Sequence, residues 1–173
     1  MKSAMVSIFN QVFPMIFICG FIIIVLRIAY LIKNRVKFVF YREIFMFTFI
    51  IYLMCLFYVV TFQDIDSSQI SGYNIIPFKE MFRYKIGSRL FFKNVIGNML
   101  MFIPFGFFTA YILRKIDFKW VFFITLIVSI TIEITQTYIG RVFDIDDVLL
   151  NVFGGSLGYY IFDFFYSLKK SEQ

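Results

Sequence analysis

Histidine is absent from the chain. That absence excludes Ser-His hydrolases, phosphatases with a histidine nucleophile and zinc proteases that need imidazole ligands. Cysteine is nearly absent: Cys19 and Cys55 are the two, and both lie deep inside apolar runs. They read as small buried hydrophobes, not as a disulfide or a nucleophile. Charged residues make up only 16% of the chain. No internal repeat and no low-complexity linker is present, which counts against transporters built from repeated halves.

What fills the chain is hydrocarbon. It is 61% apolar and 23% aromatic over 173 residues, with a mean hydropathy of +0.83. A soluble domain of this length is about half apolar, so the composition predicts an integral membrane protein. The net charge of +6 does not point to nucleic acid, because Lys and Arg stand in blocks between the apolar runs. That is the pattern of water-facing loops against lipid head groups.

Apolar runs at 8–32, 44–62, 94–113, 120–139 and 148–168 predict five membrane-spanning helices. The fold class is therefore all-α: a polytopic membrane protein, read as one domain over 1–173. The first run is too long for a signal-peptide core and has no small-x-small cleavage site after it. Its one charge, Arg27, sits near its end and is expected to snorkel to the surface. Between the second and third runs, Phe78, Met81, Phe82 and Ile86 alternate with Lys79, Arg83, Lys85 and Arg89. This predicts a short amphipathic helix in the interface.

Loops one and three and the C-terminal tail carry Lys33, Arg35, Lys37, Arg42, Arg114, Lys115, Lys119, Lys169 and Lys170. They hold basic residues more densely than the opposite side, which predicts a cytoplasmic C-terminus and an outer N-terminus. Alternation of the spans then places Asn74, Asn98, Glu133, Gln136, Arg141, Asp144, Asp147 and Asn151 on one membrane face. At 1.5 Å per residue Asn98 lies ~6 Å deep and Glu133 ~9 Å. These eight are the candidate ligand-binding residues, because ionisable groups at the edge of hydrocarbon are costly. A blander role competes for some of them. Asn98 and Gln136 suit interhelical hydrogen bonds, and Gly154 to Gly158 suits close helix packing. Pro104 and Gly106 suit shaping of the third helix. Glu133 demands a partner: Arg141, a cation, a proton or water.

The motifs Asn74-Ile-Ile-Pro-Phe78, Asn94-Val-Ile-Gly-Asn98 running on to Pro104-Phe-Gly106, Glu133-x-x-Gln136, and Asp144-Ile-Asp-Asp-Val-x-x-Asn151 through Gly158 occur in that order. In this order the chain resembles the VanZ-like family over residues 74–158. Asn74, Pro77, Phe78, Asn98, Phe105, Gly106, Glu133, Gln136, Asp144, Asp147, Asn151 and Gly155 fall on the family's recurrent positions, whereas members vary at Asp146. The resemblance implies a multi-pass protein of the bacterial cell membrane that lowers susceptibility to teicoplanin-type glycopeptides. Its partners would be membrane lipids and a lipid-linked cell-wall precursor or the glycopeptide itself, with no nucleic acid; the oligomeric state stays open. One alternative is an enzyme in which Glu133, Asp144 and Asp147 hold Mg²⁺ or Mn²⁺ against a lipid phosphate. A small transporter is another.

Overall fold

A computed structural model describes residues 18, 20–35, 37–62, 72–113, 117–138 and 140–171. The chain divides into two compact units, Met1–Cys55 and Leu56–Gln173. The part of the run at 8–32 before residue 18, and also Cys19, lie outside the described residues. Helix α1 covers 20–33, and α2 covers Phe40–Phe62.

In the first unit Arg27 does not snorkel alone. Its Nε and Nη2 donate to the two Glu43 carboxylate oxygens at 2.8 and 2.9 Å. Glu43 is buried, and a fork-to-fork pair of this kind satisfies both ions at once. Helix α2 begins at Phe40, four residues before the apolar run, and so includes Glu43 in its first turn. Cys55 is likewise no buried hydrophobe: it is an exposed free thiol on α2.

The second unit contains β1 (Tyr73–Asn74), α3 (Lys79–Arg83), α4 (Arg89–Phe91), a π-helical turn (Phe92–Ile96), α5 (Gly97–Ile112), α6 (Phe118–Tyr138), β2 (Phe143–Asp144) and α7 (Ile145–Ser171). The fold is all-α apart from the short parallel pairing of β1 with β2, in register Tyr73↔Phe143 and Asn74↔Asp144. Among the described residues four helical segments are long and apolar enough to cross a membrane: Phe40–Phe57, Arg89–Ile112, Phe118–Tyr138 and Ile145–Ser171. The helices extend past the apolar runs on their polar sides. Arg89 to Lys93 enter the third segment, and Lys169 and Lys170 stay in the last turn of α7, where cations complement the free carbonyls. The interfacial helix is shorter than the amphipathic pattern suggests, because Tyr84 is extended and Gly87 adopts φ +82.

The core is the pairing of α5 with α7, with α6 laid on α7. Glycine makes it possible. A Cβ at Gly106 would fall on the carbonyl of Gly155, one at Gly154 on that of Met99, and one at Gly158 on that of Ile103. The backbones therefore touch, as small residues permit where helices pack in lipid. On α6 the buried positions are Val121, Thr125, Ser129, Glu133 and Gln136, a stripe repeating nearly every four residues. The stripe is apolar at one end and ends in a carboxylate and an amide. Outward faces of this unit carry Phe123, Ile127, Ile134, Phe153 and Phe164, all exposed, as a lipid-facing surface requires.

Candidate functional site

The polar ends of these elements are brought together by two caps. At the end of α6, Gly140 N–H donates to Thr137 O at 3.1 Å and Arg141 N–H to Gln136 O at 3.0 Å. With Gly140 at φ +86 this is a Schellman turn, which only glycine adopts without strain. It turns the chain so that Arg141 to Asp144 run back along the end of α6. At the start of α7, Asp144 is the N-cap: its Oδ1 accepts Asp146 N–H at 3.0 Å. Asp144 N–H in turn donates to Glu133 Oε2 at 3.0 Å. The acids of the Asp144-Ile-Asp-Asp147 run thus also suit the positive end of the helix dipole.

Asn74 Nδ2 donates to Asp144 Oδ1 at 2.9 Å, beside the β1–β2 pairing. Asn98 Nδ2 donates to Asp147 Oδ1, joining α5 to α7. Asn94 lies on the π-helical turn and Asn98 just beyond it. Such wide turns occur where a helix re-aims side chains. Asn151 Nδ2 donates to Ser129 Oγ at 2.9 Å inside the bundle, tying α7 to α6.

All eight residues singled out from the sequence, Asn74, Asn98, Glu133, Gln136, Arg141, Asp144, Asp147 and Asn151, line one cavity of about 430 Å³. Glu80, Met81, Arg83, Tyr84, Asn94, Val95, Val142, Asp146 and Leu150 complete the wall. Glu133 is only 1% exposed, although it is charged in its ordinary state. Arg141 is placed to act electrostatically on both Glu133 and Asp147. Among the described residues no group of three or more His, Cys, Asp or Glu is arranged to hold a metal ion. Glu133, Asp144 and Asp147 therefore share a cavity without forming a metal-ion shell.

Asp146 is the residue that sequence reading ranked too low. It is 1% exposed, and its carboxylate accepts N–H from Phe78, from Glu80 at 2.8 Å and from Met81 at 3.1 Å. It is the N-terminal cap that α3 otherwise lacks, supplied from another helix. Phe78 sits at φ +68, a costly conformation for an aromatic residue, and the Asp146 carboxylate holds its amide. Its variation among members of the resembling family set it below Asp144 and Asp147, and nothing in the acidic run itself marks the α3 amides as its partners. Glu80 and Tyr84 also line the wall without having been singled out from the sequence, because they are brought to it by contacts with residues distant in the chain, such as Asp146 with Glu80 N–H.

Burial raises the pKa of Asp144 from its ordinary value, although the Asp146 and Asn74 N–H donors partly offset the rise. A raised folded-state pKa for an acid means that protonation favours the fold. This contribution is present below the unfolded carboxylate pKa of about 3.9 and is lost as pH rises through the raised value. Asp144→Asn should therefore gain thermal stability relative to the parent as pH rises from 4 to 7. A difference in unfolding midpoint that stays constant over that range in detergent would contradict the burial of this carboxyl.

A family model described as VanZ/LLP1 matches residues 49–166. Protein VanZ of Enterococcus faecium is 41% identical over 69 residues, 39% of this chain and 42% of that protein. The chain thus matches less than half the length of that relative. No solved structure matches. The family match covers more than half of the chain and takes in α5, most of α7 and all eight cavity residues singled out from the sequence; the protein, a multi-pass protein of the bacterial membrane, belongs to the VanZ/LLP1 family.

Proposed function

We propose that this VanZ-like membrane protein lowers susceptibility to teicoplanin-type glycopeptides through its polar cavity. In this reading the cavity opens to the outer face at head-group depth and takes a lipid-linked or cell-wall ligand. One observation carries it: carboxylates and amides from β1, α5, α6, β2 and α7 line a single cavity large enough for a small polar group. A purely structural network would fill that space with its own partners. The chain from 1 to 173 is taken as one membrane domain whose binding surface lies in its second unit. The metal-enzyme and transporter alternatives have no comparable observation in their favour.

The outward opening is tested by labelling. In a background with Cys19→Ser and Cys55→Ser, single cysteines are placed at Lys85, beside α3, and at Ser171, the end of α7. In intact cells a membrane-impermeant thiol reagent is expected to label the first and spare the second. The reverse pattern would put the cavity on the cytoplasmic side and remove the outer-face reading. The same cells, carrying the unaltered chain, are expected to tolerate more teicoplanin than cells without it.

A further inference from the structure

We infer that the group this cavity takes is a primary ammonium, borne by an aminolipid headgroup or by a soluble amine. The inference rests on the reading that the cavity is a binding site, and it names what that site recognises.

The wall carries Glu80, Glu133, Asp144, Asp146 and Asp147 against Arg83 and Arg141. Two acids are already committed: Glu80 pairs with Arg83 at 3.0 Å, and Asp146 is taken up by the α3 amides. Glu133, Asp144 and Asp147 keep acceptor capacity beyond the N–H donors already given for them, and Arg141 acts as a cationic neighbour on Glu133 and Asp147. Amide hydrogens do not redress this balance. Asn74 and Asn98 each direct an N–H to Asp144 and Asp147, and Asn151 directs one to Ser129, so the wall offers acceptors more readily than donors. A phosphate or carboxylate ligand would meet the wrong polarity.

A second observation is independent of the acids. Asn74 is 8% exposed, and its Oδ1 is buried with no hydrogen-bond partner. The amide cannot be turned around to cure this, because the opposite orientation would set its oxygen against the Asp144 carboxylate. A buried acceptor left in this state is costly, and it calls for a donor from outside the chain.

Two features narrow the cation. A bare divalent ion needs a shell of oxygens at about 2.0–2.6 Å, and among the described residues no acidic group of three is so arranged. Acceptors spread over a cavity of about 430 Å³ instead suit an N–H donor that reaches several walls. A quaternary ammonium is recognised by an aromatic cage. Among the described residues of the wall Tyr84 is the only aromatic one, in a chain that is 23% aromatic. Hydrogen-bonding –NH₃⁺ is the cation that fits.

Native mass spectrometry of the full chain, offered equal amounts of phosphatidylethanolamine, its N-acetyl derivative and phosphatidylcholine, tests this directly. The first lipid is expected to be retained at least tenfold over the other two. That preference should fall in Glu133→Gln and Asp147→Asn and persist in Asp163→Asn, which lies on an exposed part of α7. A parallel titration compares ethanolamine with N-acetylethanolamine by thermal unfolding. Stabilisation by ethanolamine alone, without lipid preference, assigns the site to a soluble amine; lipid preference assigns it to a headgroup. Equal behaviour of amine and acetylated probe in both arms overturns the inference, and this comparison needs only the unaltered protein. If the protein still protects cells in a manner that depends on Glu133 and Asp147, the reading of the cavity survives while the ammonium assignment falls.

Discussion

Gly106→Ala is expected to abolish accumulation of the folded protein. The added methyl would lie on the carbonyl of Gly155, a backbone atom that no rotamer change can move. Helices α5 and α7 would have to separate, and their contact is the core of the second unit. Overpacking of this severity costs at least about 3 kcal/mol, against a total stability of roughly 5–15 kcal/mol for a typical domain. Gly154→Ala and Gly158→Ala should behave alike, since each would meet a carbonyl of α5. Gly97→Ala is the control, because its Cβ would lie 3.5 Å from the nearest atom, an ordinary contact. Steady-state level and monodispersity in detergent provide the measurement. A well-behaved Gly106→Ala protein would mean that α5 and α7 do not touch backbone to backbone.

Asp146→Ala is expected to release α3 while leaving the membrane helices in place. Three amides lose an ionised acceptor, and Phe78 loses the contact that holds it at positive φ. Hydrogen bonds to charged groups are worth about 1.5–3 kcal/mol each, so a loss of ~3 kcal/mol or more is expected locally. Hydrogen exchange at Phe78, Glu80 and Met81 should accelerate about a hundredfold or more. Asp146→Asn keeps one accepting oxygen where the carboxylate uses two, and should fall between. Unchanged exchange in the alanine variant would show that α3 is held by something else. Because Glu80, Met81 and Arg83 of α3 line the cavity, this variant also shows how far α3 shapes its wall.

The part of the cavity wall on α5, α6 and α7 was legible in the sequence and the part on α3 was not, for a physical reason. Glu133, Gln136, Asp147 and Asn151 stand out because each is a polar residue in a run of hydrocarbon, and helical spacing sets them on shared faces. Asn74 and Asn98 follow from alternation of the spans. Asp146 has the same chemistry as its neighbours, and its task is defined only by a partner 68 residues away. The Arg27–Glu43 pair was hidden in the same way, since its two ions are 16 residues apart in the chain. Thr125 and Ser129 were legible in principle: with Glu133 they repeat every four residues on α6, and Ser129 accepts the Asn151 amide. Hydroxyls are tolerated in membrane helices, so they raised no alarm. The two-residue strands are too short to leave any alternation, and the Schellman turn at Gly140 is what brings them into register.

The central claim is that the charges of the cavity serve function and not folding. Removing a merely structural charge from a buried, partly membrane-embedded site should be neutral or helpful to stability once hydrogen bonding is preserved. Glu133→Gln and Asp147→Asn keep shape and hydrogen-bonding capacity. In a susceptible host that the unaltered chain protects, teicoplanin susceptibility is measured for both variants at matched membrane abundance. Loss of protection with normal accumulation is the expected result. Protection equal to that of the parent in either variant would contradict the claim, and failure of both to accumulate would show that these carboxylates hold the bundle together.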